Sequence, residues 1–272
     1  MNNHMKLVAD SGSTKTDWAI GNLRFKTQGI NPFHQDDEAI LKILSEELLP
    51  QVKDYEIQEI CFYGSGVRQE LEGKMTAALR KVFPSATSIE AHNDLLGAAK
   101  ALCGDQEGIA CILGTGSNSC IYDGRAIVSN TPALGYILGD EGSGAVLGKR
   151  FLNALYKNRL PEQLKREFEL SQQMTMADVI ARVYKQPMPN RWLASLSTFI
   201  SKHQSEEAVH QLIVDNFSDF FRFNINPYDR RDLPVSAVGS IAFYYESQLR
   251  EAAEKEGYAM GKIMRSPIDG LV

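Results

Sequence analysis

"VADSGSTKTDW", residues 8–18, follows the first short apolar run and ends in Lys15-Thr16, as the end of a phosphate-binding P-loop would. A P-loop needs Gly-x-x-x-x-Gly-Lys-Ser/Thr, because its glycines let backbone N–H groups wrap a phosphate. Here the two glycine positions are Ala9 and Thr14, so the stretch is not a P-loop. A turn between two strands can still cradle an anion through successive N–H groups, with hydroxyls from Ser11, Ser13 and Thr14 helping. The alternative is a polar hairpin turn that binds nothing.

Outward from this stretch the chain repeats itself. Residues 5–10 read as a strand and 17–28 as a hairpin turning at Gly21-Asn22. Residues 110–129 run the same way: apolar strand, "GTGSN" turn, apolar strand, Asp123-Gly124 turn, strand. Between the two units lie a helical pattern at 36–49, a strand in "IQEICFYGSG", a helix at 68–82, a strand at 87–91 and a helix beginning near Asn93-Asp94. The acidic run Asp36-Asp37-Glu38 suits the first turn of its helix. From about 140 to 223 the chain is mostly helical, and "FSDFFRF" (217–223) reads as the apolar face of a core or interface helix. A strand, a third glycine turn at Gly239-Ser240, an amphipathic helix and a last short strand within 258–264 complete it. The pattern restarts near 108, which sets domains at 1–107 and 108–272, the second with a helical insertion at about 140–223.

Composition restricts the function classes. A chain of 272 residues, 43% hydrophobic, 23% charged and with a net charge of −5, is an ordinary globular composition with no basic field for nucleic acid or anionic membrane. The start lacks the basic and apolar regions of a signal peptide, and no stretch approaches a membrane span. Cys61, Cys103, Cys111 and Cys120 form no Cys-x-x-Cys pair; Cys61, Cys111 and Cys120 lie in strand-like runs and read mainly as small buried residues, so a reducing cytoplasm is the expected compartment. No histidine pair has a metal-ligand spacing.

The order of the three glycine turns, with a helical insertion before the third, resembles the sugar kinase–heat-shock protein–actin superfamily. Within it the chain is similar to the N-acetylglucosamine kinase branch, related to the BadF/BadG ATPases. The segments "DSGSTKTDW", "GINPFH", "AHNDLLGAA", "ILGTGSNS", "LGYILGDEGSG" and "AVGSIA" carry the likeness from residue 10 to 242. The first turn departs from the family's three consecutive glycines, reading Ser11-Gly12-Ser13. The resemblance implies an α/β chain of two duplicated ribonuclease H-like (actin-like ATPase) domains with an interdomain cleft. It implies an ATP- and Mg²⁺-dependent kinase acting on the 6-hydroxyl of N-acetylglucosamine or a closely related amino sugar, with a homodimer among the expected states. A zinc-type Cys-x-Cys-x-x-Cys cluster, expected of another sugar-kinase family, is absent.

The same resemblance assigns roles residue by residue. Asp94 falls on the catalytic base, a carboxylate that orients a sugar hydroxyl and accepts its proton; read locally, it is equally a helix cap. Asn31, Ser65, Asn118, Gly135 and Asp140 fall on sugar-binding positions, with Asp94 among them. Asp140 and Glu141 alone need be no more than acids at the start of a helix. Ser11, Gly12, Ser13, Thr14, Lys15, Thr115, Gly116, Ser117, Gly239 and Ser240 fall on ATP contacts. Asp10 either holds Mg²⁺ through water or fixes the turn, and Lys15 either neutralises phosphate or is solvated. Two rivals remain: an ATPase that activates a redox partner, as the related dehydratase activators do with cluster-binding cysteines, and a non-catalytic sugar-binding regulator.

Overall fold

The run Met5–Ser11 forms β1, and everything in the first unit is built on it. The computed structural model describes residues 5–12 and 14–272, so Ser13 lies outside the described residues. β2 (Lys15–Ile20) and β3 (Leu23–Gln28) return antiparallel beside β1, the two-residue turn at Gly21-Asn22 closing on the Ile20–Leu23 pair. β4 (Ile57–Gly64) and β5 (Ser88–Asn93) add in parallel on the other side, giving the order β3-β2-β1-β4-β5. Alternation along β1 sends Leu7 and Ala9 to one face, where they bury with Trp18, Phe62, Ile40, Leu44 and Leu79. Trp18 satisfies its indole N–H inside that core through Thr27 Oγ1 at 3.0 Å. The opposite face takes Val8, Ala19, Cys61 and Tyr63 against Ile268 from the chain's last helix, Ile268–Leu271.

The 36–49 pattern is a helical run over Asp37–Lys42, Ile43–Leu48 and Leu49–Val52, its middle segment widened to i→i+5 bonding, as in Leu49 N–H to Leu44 C=O. Asp36 caps it by accepting from Ala39 N–H at 2.8 Å, with Asp37 and Glu38 in the first turn.

The second sheet repeats the first. β6 (Glu107–Leu113) pairs antiparallel with β7 (Ser117–Asp123), followed by β8 (Ile127–Ser129), and β9 (Val235–Val238) and β10 (Met260–Met264) extend it in parallel. The order β8-β7-β6-β9-β10 is that of the first sheet strand for strand. Its core is aromatic: Phe151, Phe168 and Phe199 pack with ring centroids 5.4–5.7 Å apart. Of "FSDFFRF", Phe217, Phe220 and Phe221 are fully buried while Phe223 is exposed.

The chain divides into two compact units, one reaching to Gln106 and including Gly124–Ile127 and Ser266–Val272, the other Glu107–Asp123 with Val128–Arg265. The sequence pattern carries the second domain on to Val272, whereas the last seven residues belong with the first unit. Gly270 packs so closely on the helix Asp94–Cys103 that a Cβ there would lie 2.7 Å from Ala101 O. The Asp269 carboxylate accepts from Arg24 at 2.9 Å. Cys61, Cys111 and Cys120 are buried and Cys103 is partly buried. Among the described residues no helix is long and apolar enough to cross a membrane.

Candidate functional site

Parallel strands end together, and side chains just beyond their carboxyl ends converge. In the first unit the register places Ser11, Gly64 and Asn93 in one row across β1, β4 and β5. Asp10, Ser65 and Asp94 therefore sit at one edge of the sheet, with Ser65 N–H donating to Ser11 C=O at 2.8 Å. Asn31 joins them. Gly66 has φ +79°, and a Cβ there would lie 2.1 Å from Asn31 Oδ1, so only glycine admits the asparagine. Asn31 Oδ1 accepts from Phe33 N–H at 3.0 Å, and its amide Nδ2 has no partner among the described residues.

Asp94 does not cap its helix. Asn93 is the cap, accepting from Leu96 N–H at 2.8 Å, and Asp94 is the first helical residue. Burial pushes its carboxyl up to about 6, against the opposing pull of nearby backbone N–H groups. Burial likewise pushes Asp10 up to about 7, and the charges of Asp94 and Asp17 act the same way; Lys15 and the Ser266 hydroxyl oppose them. Lys15 is not a lone cation, since its Nζ contacts Asp17 Oδ2 at 2.5 Å. Ser11 offers no free hydroxyl either: its Oγ is buried against Thr16 Oγ1 at 2.7 Å and bonds both C=O and N–H of Ile30. Its part in the turn is internal bracing, and among the described residues the exposed groups there are Gly12, Thr14 and Lys15.

In the second unit, Gly114 N–H closes the turn on Gly116 C=O at 2.9 Å. The helix Gly144–Tyr156 spends its first N–H groups on the same turn, Gly144 to Gly114 C=O at 2.8 Å and Ala145 to Thr115 C=O at 3.1 Å. With those carbonyls taken, the N–H groups of Thr115 and Gly116 have no acceptor among the described residues. That is the arrangement of an anion cradle. Gly239, at φ +123°, lies behind it, and a Cβ would meet Leu113 O at 2.2 Å. Ser240 opens the short helix Ser240–Tyr244 beyond.

Asp140 sits against this turn. Its Oδ1 accepts from Ser117 N–H at 3.3 Å, and its Oδ2 lies 3.0 Å from where a Gly116 Cβ would be. Burial pushes Asp140 up to about 6, with the Ser117 N–H opposing. The reading of Asp140 and Glu141 as first-turn acids fails, because Ser143 caps the helix and Asp140 is a left-handed turn residue at φ +56°. Ser117 Oγ is buried with no partner among the described residues. Asn118 Oδ1 is taken by Ser119 N–H and Asn130 Nδ2. Gly135 stands apart, with open space around it, at the start of the short helix Gly135–Leu138.

Sequence reasoning missed Asp17 as the partner of Lys15, and Ser266 beside Asp10. The first was readable as an i, i+2 pair on one face of a strand; nothing local points to the second. Among the described residues no group of three or more His, Cys, Asp or Glu side chains is arranged to hold a metal ion. Mg²⁺ needs no such cage, since it binds through one or two carboxylates, water and phosphate. Asp10, held near neutrality by burial and by two carboxylates, fits that mode, because a cation would favour its ionised form.

Two sheets of this shared topology, each carrying a glycine turn between its first two strands, define the actin-like ATPase fold of the sugar kinase–heat-shock protein–actin superfamily. No family profile matches the chain, and no curated protein matches it. Among solved structures, a putative N-acetylglucosamine kinase from Porphyromonas gingivalis is 47% identical with a TM-score of 0.96, over 98% of this chain and 97% of its own. A second protein so named, from Chromobacterium violaceum, shares the fold at 17% identity and a TM-score of 0.73, over 98% and 97%. MreB5 of Spiroplasma citri, bound to ADP, shares it at 9% identity and 0.61, over 99% and 94%. The chain belongs to the N-acetylglucosamine kinase family.

Proposed function

We propose that this chain is an ATP-dependent sugar kinase that transfers the γ-phosphoryl group to the 6-hydroxyl of N-acetylglucosamine or a close amino sugar. The observation that carries the reading is Asp94: a partly buried carboxylate at the sheet edge, relieved of capping by Asn93. A carboxyl near 6 is mostly ionised at neutral pH yet basic enough to take a proton in the transition state. In this reading the free Asn31 amide and Ser65 hydroxyl orient the sugar, and Asp94 holds and deprotonates the attacking hydroxyl. The unpartnered N–H groups of Thr115 and Gly116 bind phosphate oxygens, with Thr14 and Thr115 adding hydroxyls. Asp140 fixes the second turn through Ser117 and keeps its other oxygen for a sugar hydroxyl. Gly239 and Ser240 lie toward the adenosine. Mg²⁺, held by Asp10 through water, supplies charge neutralisation on the phosphates.

The kinase reading also stands against its rivals. Cys111 and Cys120 are buried in β6 and β7, which suits packing rather than a cluster shared with a second subunit. A silent sugar-binding protein would have no use for a near-neutral carboxylate at Asp94. The test is an ATP-coupled assay of the whole chain with glucose, glucosamine, N-acetylglucosamine and N-acetylmannosamine. ADP release stimulated by an N-acetylated sugar is expected, and a 6-phosphate product by NMR. Absence of stimulation by every sugar overturns the kinase reading.

A further inference from the structure

Asp94 is the first residue of its helix, so its place is set by where the helix Asp94–Cys103 lies on the sheet. Three residues on, and on the same face, Gly97 meets Tyr63 of β4. A Cβ at Gly97 would lie 2.7 Å from both Cβ and Cγ of Tyr63, closer than side chains come. Tyr63 Cβ cannot yield, because it is fixed to a strand paired with β1 on one side and β5 on the other. The bare backbone of Gly97 is what lets the helix sit down on the buried ring.

A second contact joins the same two elements. Lys100, three residues beyond Gly97, directs Nζ at the Tyr63 hydroxyl, 3.3 Å away, and the hydroxyl also accepts from Cys61 Sγ at 3.5 Å. Packing alone asks for an apolar side chain here; the hydroxyl, bonded from the helix of Asp94, makes the contact directional. The seat on Gly97 sets how deep the helix lies, and the Lys100 bond sets its rotation. Across the sheet, the register pairs Tyr63 with Asp10 of β1, so the two share a row and a face. Asp94 is close enough for its charge to act on Asp10. The ring of Tyr63 therefore stands beside one acid and under the helix that carries the other.

We propose that Tyr63 is a positioning residue for the reaction: seated on Gly97 and tied to Lys100, its ring sets the distance of Asp94 from Asp10, and so the place of the base beside the attacking hydroxyl. This rests on the kinase reading of Asp94. In Gly97→Ala the methyl must move from 2.7 Å out to at least the 3.4 Å of an ordinary contact, and the helix retreats with it. Misplacing a reacting group by about 1 Å can cost about 10²-fold, so kcat should fall roughly tenfold to a hundredfold, with the KM for ATP within about twofold of wild type. Tyr63→Phe and Lys100→Met each remove the hydroxyl contact while leaving the ring on Gly97. Each should lower kcat about twofold to fivefold, and the two together no further than either alone.

The experiment is ATP-coupled turnover at saturating substrates, with whichever of the four sugars named above is turned over fastest and with Tm measured alongside. It covers these variants and Gly97→Ala in an Asp94→Asn background. Because the effect passes through the base, Gly97→Ala should cost little further once Asp94 is Asn. An equal loss in both backgrounds overturns the proposal, and so does a Gly97→Ala chain that loses Tm yet turns over normally. If Gly97→Ala yields no folded protein, the Tyr63→Phe and Lys100→Met pair decides, and losses that add, or no loss in either, overturn it. If no sugar is phosphorylated by the wild-type chain, or if Asp94→Asn turns over almost normally, the reading of Asp94 as base falls and this inference with it. Additive losses in an active enzyme bring down this inference alone.

Discussion

The two glycine turns occupy equivalent places, between the first and second strands of sheets with the same strand order, yet their surroundings differ. At the first, Gly12 N–H closes on Lys15 C=O at 3.0 Å and Gly29 N–H holds Thr14 C=O at 3.2 Å, yet Gly12, Thr14 and Lys15 are exposed, and its character comes from the acids Asp10, Asp17 and Asp94. The second is caged, with Gly144 and Ala145 N–H on its carbonyls, Asp140 on its flank and Gly239 at its back. The two units thus share a backbone path but differ around the turn: three acids gather at the first, while backbone N–H groups and the single carboxylate of Asp140 brace the second.

The largest expected effect falls on the acidic side. Asp94→Asn keeps size and one hydrogen-bonding oxygen but removes the base, so kcat should fall roughly 10²–10⁴-fold with sugar affinity largely kept. Near-normal turnover would leave Asp94 without a chemical role, since Asn93 already caps the helix. In the wild-type chain, kcat/KM should fall toward acid with an apparent pKa of about 6, as protonation of Asp94 removes the base.

Next comes the cage. Gly239→Ala puts a Cβ 2.2 Å from a backbone oxygen at a φ that side chains rarely adopt, and neither atom belongs to a flexible side chain. The cost should reach about 3 kcal/mol or more, seen as a fall in Tm of about 10 °C or as loss of soluble protein. A fall of under about 2 °C would mean that the turn gives way readily and is no cage.

How much of this contrast could be read in advance follows from the range of the interactions. The strands, the two hairpins and the helix start at Asp36-Asp37-Glu38 were legible, because alternation, Gly-Asn and Asp-Gly turns and an acidic first turn are local signals. Which of Asn93 and Asp94 caps was not, since both residue types cap well and the choice depends on where β5 ends. Asp140 lies across the chain from Ser117, and no spacing rule brings the two together. Gly239 was readable as a turn glycine, but its contact with Leu113 arises only when β9 pairs with β6. Ser266 beside Asp10 depends on the chain returning at its very end to the first unit.

A third test separates ionisation from packing at the first turn. The Asp10 carboxyl is raised in the folded state from 3.8 to about 7, so its ionised form costs stability in the fold. That cost is absent below about 3.8 and complete above about 7. Between the two it accumulates at roughly 1.4 kcal/mol per pH unit. Asp10→Asn should therefore raise Tm more at pH 8 than at pH 4, while impairing turnover through loss of the carboxylate proposed to hold Mg²⁺. A stabilisation that does not vary with pH would assign the effect to packing instead.

The smallest effect is the sharpest probe of the difference between the turns. At Gly12 an added Cβ finds only Lys15 O, at 3.8 Å, an ordinary contact, and the backbone is not in the left-handed region. Gly→Ala at a site without strain changes stability by about 0.4–1 kcal/mol, in the favourable direction, by narrowing the unfolded ensemble. Gly12→Ala should accordingly leave Tm level or slightly raised, in contrast to Gly239→Ala. If phosphate approaches the first turn as closely as its exposed backbone permits, the same methyl group stands in its way, and KM for ATP should rise several-fold with little change in the affinity for sugar. A Tm loss comparable to that at Gly239 would show the first turn to be as tightly held as the second and would remove the asymmetry. An unchanged KM for ATP would instead leave phosphate to the second turn alone.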